Sequence, residues 1–74
     1  MLRIDAYTTT EGLYVGVVGH CNGKRHGGDR CETLGVSQLV PTHHIESYGL
    51  ATAMVLTVDR LMSKAPRLEE LALC

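Results

Sequence analysis

The stretch LYVGVV, at residues 13–18, decides the fold of this chain, because its side chains are almost all β-branched or aromatic. Side chains of these types favour strands. The absence of polar residues from the run predicts a central strand that is covered on at least part of both faces. Gly16 predicts a bulge or a close approach of another segment. We expect the strand to end at Gly19.

A first strand is predicted directly before this one. Apolar residues at positions 2, 4 and 6 alternate with Arg3, Asp5 and Tyr7, which is the period of two expected for a strand with one buried face. The polar segment TTTEG, at residues 8–12, then suits a hairpin with a loop of three to five residues. The chain is therefore expected to turn back, so that the two strands pair as an antiparallel hairpin.

A first helix is predicted after a glycine-rich loop. Asp29 and Glu32 precede an apolar run, and their spacing is that of a capping box. A proline disfavours helical conformation in the residue before it. We therefore expect a helix that starts at Asp29, contains Cys31 in its first turn and ends at Pro41.

The last third of the chain predicts one further helix. Residues 42–46, THHIE, are expected to form a connector. From Ser47 to Pro66, apolar residues recur three to four positions apart, which is typical of an amphipathic helix. Residues 67–74 are compatible with a strand or a short helix, and the strand is the favoured interpretation.

These elements predict a single α+β domain over residues 1–74. Its sheet would be small and antiparallel, made of the N-terminal hairpin plus a possible C-terminal strand, with two helices packed on it. A chain of 74 residues buries only about 60 to 65% of its unfolded surface. Such a thin core is commonly reinforced by disulfides, a metal or self-association.

Composition limits the function classes. Seven Lys and Arg against eight Asp and Glu give a net charge of -1, so nothing in the charge balance favours a nucleic acid partner. Three tyrosines are the only aromatic residues, which argues against a stacking platform for single strands. No apolar run approaches the roughly 18 residues of a membrane span. We expect a soluble protein that contacts neither a membrane nor nucleic acid.

The cysteines indicate the compartment. Cys21, Cys31 and Cys74 are odd in number, and we expect no signal peptide before them. Free thiols in a reducing cytoplasm fit this pattern best. Cys74 is expected to be an exposed terminal thiol.

The loop GHCNGKRHGGDRC, at residues 19–31, contains the candidate chemistry. The first turn of a helix favours the thiolate form of a cysteine, and Cys31 would lie there. His20 lies eleven positions earlier, just after Gly19 at the end of the expected central strand, so a folded loop could bring its imidazole to the thiol. His20 is thus a candidate base and Cys31 a candidate nucleophile. Cys21 is less suitable as the nucleophile, because it directly follows His20 and adjacent residues on a strand point to opposite faces.

Two other interpretations of this loop stay open. In the first, His20 is a residue at a strand end whose hydrogen bonds are made within the fold, and Cys31 is a small buried residue. Spacing alone favours this assignment. A metal site is the second alternative, with ligands drawn from Cys21, His26, Cys31, His43 and His44. The Cys-x4-His-x4-Cys spacing is not among the usual zinc arrangements, so no metal or cofactor is predicted.

Several segments carry a resemblance to a known family. They are MLRI at residues 1–4, the Glu11-Gly12 turn, VVGH at residues 17–20, Asp29 and a glycine before Cys31, and Val36-Ser37. With these segments the chain resembles the Prp family of ribosomal-processing cysteine proteases. The end of the last predicted helix at APRL, residues 65–68, is also similar. Arg30 alone separates Asp29 from Cys31 where the family has two apolar residues, and Cys21 replaces the usual alanine.

The resemblance implies a cytoplasmic homodimer of α+β fold. It also implies a cysteine peptidase that processes a ribosomal or phage structural protein, with His20 as base and Cys31 as nucleophile. Backbone N–H groups near Cys31 would stabilise the oxyanion. The alternative is a non-catalytic, dimeric interaction protein on the same scaffold. That protein would be a phage or mobile-element factor, and it would bind a host protein through its sheet edge or a helix face.

Overall fold

The computed structural model describes residues 1–22 and 31–73. It has three strands followed by three helices: β1 (Leu2–Thr9), β2 (Gly12–Cys21), β3 (Glu32–Leu39), α1 (Thr42–Tyr48), α2 (Leu50–Lys64) and α3 (Arg67–Ala72). The strands form one antiparallel sheet in the order β1-β2-β3. The predicted α+β class, with a small antiparallel sheet and helices packed on it, is confirmed.

The LYVGVV stretch lies in the central strand, as predicted. Val17 of β2 is opposite Ile4 of β1 on one side and opposite Val36 of β3 on the other. Pairing is regular through Gly16, so no bulge is present there. The strand continues past Gly19 to Cys21, because β3 still pairs with it there.

The hairpin is tighter than expected. Thr9 pairs with Gly12, which leaves a loop of two residues instead of three to five. Gly12 has a φ of 134°, a backbone conformation that favours glycine. The Thr9 hydroxyl donates to the Gly12 carbonyl and accepts a hydrogen bond from the Glu11 N–H. These local hydrogen bonds stabilise the two-residue turn, so the TTTEG segment does not form the longer loop that was expected.

The helix predicted from Asp29 to Pro41 is wrong, because Glu32–Leu39 forms β3. Burial alternates along this strand, since its even-numbered residues face the helices and its odd-numbered residues face away. Gly35 lies at the centre of the segment and costs about 1 kcal/mol in a helix interior. Pairing of eight residues with β2 outweighs the capping-box signal. Asp29 lies outside the described residues.

The helices also differ from the prediction. Residues 42–48 form α1, although a connector was expected over residues 42–46, and Gly49, with a φ of 88°, separates α1 from α2. The long amphipathic helix therefore starts at Leu50 and not at Ser47. The favoured C-terminal strand is wrong as well, because α3 occupies that position.

The core lies between one face of the sheet and the helices. α2 packs against β2 and β3, while α3 contacts all three strands and β2 most closely. Residues of β2 alternate, so that Val15, Val17 and Cys21 are buried toward the helices. The core cluster is completed by residues from the helices and the segment after β3, namely Val40, Ala53, Leu61 and Leu68. The other face of the sheet has no helix on it among the described residues.

The close contact between α3 and β2 depends on Gly19. A Cβ atom at this position would lie 3.0 Å from Leu68 Cδ2 and 3.0 Å from Leu71 Cβ. Both leucines are buried, so neither can move without disturbing the core. The Met1 ammonium joins the same elements, since it donates to the His20 carbonyl at 2.9 Å and to the Leu71 carbonyl at 2.7 Å.

We predict that Gly19→Ala lowers the free energy of unfolding by about 1–3 kcal/mol, because overpacking forces the surrounding side chains out of place. Gly35→Ala is the matched control. It is also a strand glycine, but its Cβ would meet Val18 Cγ2 at 3.8 Å, an ordinary contact. Urea denaturation of both variants measures the difference. Equal stability of the two would contradict the close approach at Gly19.

Candidate functional site

His20 and Cys31 lie at the same end of the sheet. His20 is the penultimate residue of β2, and Cys31 immediately precedes β3. The pairing of these two strands ends at Cys21 opposite Glu32. Cys31 is a free, exposed cysteine. The topology therefore brings both predicted site residues to one edge of the fold.

The hydrogen bonds of His20 lead to other partners. Its Nδ1 lies 3.0 Å from the Thr33 hydroxyl oxygen, directly across the β2–β3 ladder. Its backbone N–H donates to the Met1 carbonyl at 2.9 Å. Within residues 1–22 and 31–73, no hydrogen bond joins His20 to Cys31. The imidazole is thus oriented by Thr33, as expected for a satisfied residue at a strand end.

The predicted contribution of a helix start to the activation of Cys31 is absent from this fold. It required the first turn of a helix, whereas Cys31 precedes a strand. The neighbouring Glu32 forms a salt bridge with Arg67 of α3. Arg67 Nε donates to Glu32 Oε1 at 2.8 Å, and a second guanidinium nitrogen contacts the other carboxylate oxygen. Glu70 also contacts this guanidinium, and the two carboxylates raise the pKa of Arg67.

Cys21 differs from the free thiol that was expected. It is 1% exposed on the helix-facing side of β2, and it is disulfide-bonded. The inference from an odd cysteine count fails here, since one unpaired cysteine leaves the other two able to pair. The prediction that Cys74 is an exposed thiol lies outside the described residues.

The metal alternative depends partly on His26, which also lies outside the described residues. Among the residues described, no group of three or more His, Cys, Asp or Glu side chains could hold a metal ion. His43 and His44 lie in α1 with their ring centroids 4.4 Å apart. The rings contact each other edge to face. His44 also contacts Tyr48, at a centroid distance of 5.7 Å.

A second candidate site is the groove beside β1. All residues of β1 except Leu2 are exposed, including Ile4, which is 55% exposed although it faces the helix side of the sheet. The groove between β1 and α2 has a volume of about 470 Å³. We call it the β1 groove. Its lining is almost entirely apolar: Ile4, Val15, Ala51, Met54, Val55, Val58 and Asp59.

Sequence reasoning missed the β1 groove, although α2 contains a signal for it. Apolar residues at positions 54 and 58 form the predicted core stripe, but Ala51 and Val55 continue it around the helix. An apolar arc wider than one sheet face can cover indicates a second contact surface. Val55 is 61% exposed, so the described residues leave this part of the arc uncovered.

The open face of the sheet is more polar. Tyr7 and Tyr14 stack across the β1–β2 ladder, with ring centroids 5.7 Å apart and an interplanar angle of 7°. The Tyr14 hydroxyl donates to the Glu11 carboxylate at 2.5 Å, and this hydrogen bond raises the pKa of Tyr14. A shallow depression of about 290 Å³ lies over Gly16 and Gly35, where side chains are missing.

Comparisons with protein-family models, curated proteins and solved structures found no match for this chain. The relationship to the Prp family therefore stays a hypothesis based on the quoted segments. Among the described residues, no helix is both long and apolar enough to cross a membrane.

We predict that Cys21→Ala lowers the free energy of unfolding by about 2–5 kcal/mol, the usual cost of removing a native disulfide from a small domain. Cys31→Ala is the control, because its side chain is exposed and free; it should change stability by less than about 0.5 kcal/mol. Guanidinium denaturation checks both values. Equal losses in the two variants would show that the disulfide does not support the fold.

Proposed function

We propose that this chain is a non-catalytic, dimeric interaction protein. The observation that carries the proposal is the β1 groove, an apolar surface next to an edge strand. Ile4 and Val55, on opposite sides of this groove, are 55% and 61% exposed. Contiguous exposed apolar surface on a small domain marks an interaction site.

Physical chemistry favours self-association through this surface. Each square ångström of apolar surface removed from water contributes about 25 cal/mol, and a domain with a thin core gains stability from such burial. β1 is also an edge strand, and its unpaired backbone groups form a template for a further strand. A second chain at this edge would satisfy both requirements.

The remaining surfaces are available to a protein ligand, which the alternative interpretation of the sequence expects to be a host protein. The edge of β3 and the open sheet face lie away from the β1 groove. The open face presents hydroxyl, carboxylate and stacked tyrosine groups, which suit a polar protein surface. A cytoplasmic location was inferred from free thiols. The disulfide at Cys21 removes that argument, so the location stays a prediction that cell fractionation can test.

We predict that the wild-type chain dimerises in sedimentation velocity experiments and that Val55→Glu raises the dissociation constant at least about tenfold. A carboxylate buried in an apolar contact is costly unless it is paired. Thr52→Glu is the matched control, because Thr52 is an exposed residue of the same helix that does not line the groove. Its dissociation constant should equal that of the wild type. A chain that stays monomeric at every concentration would contradict the proposal.

The cysteine peptidase is the second candidate function. The specific observation in its favour is that Cys31 is free, exposed and at the same sheet end as His20. In that mechanism, His20 would remove the thiol proton and Cys31 would attack a peptide carbonyl of a ribosomal or phage structural protein. The C–N bond would break as His20 returns the proton to the leaving amine, and water would then hydrolyse the thioester to regenerate the thiol. The imidazole would first have to leave Thr33 or turn its other nitrogen to the thiol.

Alkylation of Cys31 distinguishes the two functions. For an interaction protein, we expect the rate at Cys31 to match that of a cysteine in an unstructured peptide, with no change in His20→Ala. His43→Ala is the control for loss of an exposed imidazole. Mass spectrometry across a pH series measures the rate. If Cys31 reacts unusually fast at acidic pH and loses this advantage only in His20→Ala, the chain is a peptidase and the first proposal fails.

A further inference from the structure

We propose that a second copy of this chain occupies the edge of β1 in one defined register, centred on Ile4. Two β1 strands would pair antiparallel across a two-fold axis and join the two sheets into one of six strands. This inference rests on the proposed dimer and goes further, because it names the contact surface, the residue pairs and the forces that select them.

The backbone of β1 shows which groups are free to pair. Met1 and His20 exchange both hydrogen bonds across the β1–β2 ladder. In an antiparallel ladder, hydrogen-bonded pairs alternate with pairs that are not hydrogen-bonded. The odd-numbered residues of β1 therefore direct their backbone groups toward β2. The even-numbered residues, Leu2, Ile4, Ala6 and Thr8, direct theirs toward the free edge.

This alternation allows only registers that pair even-numbered residues with even-numbered residues, and three of them place the two-fold axis at or next to Ile4. A two-fold axis at Ile4 pairs Ile4 with the partner's Ile4. Moving the axis by one residue places Asp5 opposite the partner's Asp5, or Arg3 opposite the partner's Arg3. All three choices use the same free backbone groups, so side chains must select among them.

Charge selects the axis at Ile4. Arg3 and Asp5 lie on the open face of the sheet and are 69% and 50% exposed. Within one chain, Arg3 Nε is 3.1 Å from Asp5 Oδ2. With the axis at Ile4, Arg3 is opposite the partner's Asp5 and Asp5 is opposite the partner's Arg3. An axis at Arg3 or Asp5 places like charges opposite each other, which destabilises cross-strand pairs. An axis farther along β1, such as at Ala6, places Asp5 opposite the partner's Tyr7 and forms no charge pair. Only the axis at Ile4 therefore forms attractive pairs.

Apolar contacts agree with the same axis. Ile4 and the partner's Ile4 would be directly opposite each other on the helix side, where each now borders an open groove. The partner's strand would extend the wall of the β1 groove beyond Ile4. The edge of β3 does not offer both an exposed apolar residue on the helix side and a pair of opposite charges. Its helix-facing apolar residues are partly buried under α2, and its single charged residue, Glu32, is paired with Arg67.

Charge reversal tests the register. Arg3→Asp and Asp5→Arg each turn two attractive cross-strand pairs into repulsive ones, so each variant should self-associate about tenfold or more weakly than the wild type. An equimolar mixture should restore association as a heterodimer, since both cross-strand pairs are then attractive. Like charges within each chain persist in the mixture, so only contacts between chains explain the recovery. Native mass spectrometry and sedimentation velocity measure both effects, with circular dichroism as the folding check.

A pair of proline variants tests the backbone. Ala6→Pro removes an N–H that the proposed register pairs with the partner's Leu2 carbonyl, so dimerisation should weaken. Thr8→Pro removes an equivalent outward N–H that lies beyond the last residue pair, Tyr7 with the partner's Met1. Proline is tolerated on an edge strand where the N–H faces solvent, so both variants should fold, and Thr8→Pro should dimerise like the wild type.

The outcomes separate this inference from the function on which it rests. If the wild type dimerises but neither charge reversal weakens it, or the mixture shows no recovery, the register is overturned while the dimer stands. Loss of dimerisation in Thr8→Pro but not in Ala6→Pro would also overturn it. A wild-type chain that is monomeric throughout would overturn both proposals. Weakening by each reversal, recovery in the mixture and the expected proline pattern would together establish the β1 contact.

Discussion

The contact between α3 and β2 at Gly19 is the constraint on which the rest of the structure depends. Because position 19 has no side chain, Leu68 and Leu71 can pack directly on the strand backbone. The Met1 ammonium donates to the carbonyls of His20 and Leu71, which attaches β1 to the same point. α3 therefore holds one end of the sheet, and α2 covers β2 and β3 farther along.

This arrangement leaves most of β1 without cover. The helix side of the three-stranded sheet has a larger area than α2 and α3 contact. The uncovered part of this area lies at the edge strand β1. Ile4 is the clearest sign of it, since its side chain points toward the helices yet remains more than half exposed. Charged residues often protect edge strands from pairing. Arg3 and Asp5 have opposite signs two positions apart, so they do not repel a second antiparallel copy.

The candidate dyad illustrates how far a sequence pattern can lead. Proximity of His20 and Cys31 at one end of the fold could be predicted, because a strand, a loop and a following element return the chain to the same place. The activation of the Cys31 thiol could not be predicted, because the expected activation depended on a helix start at Cys31. Pairing with β2 turned that segment into a strand, and it placed Thr33 opposite His20. The same pairing supplied the imidazole with a hydrogen-bond partner.

The sequence by itself determined the features that depend on near neighbours. The N-terminal hairpin follows from alternation and from a glycine at the turn, and the long helix before Pro66 follows from apolar spacing. Only the tertiary structure decided between strand and helix for residues 32–39 and 67–72, because both segments have mixed local preferences. β3 gains a ladder to β2, and α3 gains burial of Leu68 and Leu71 against Gly19. The β1 groove likewise appears only after folding, since it is the area that the helices do not reach.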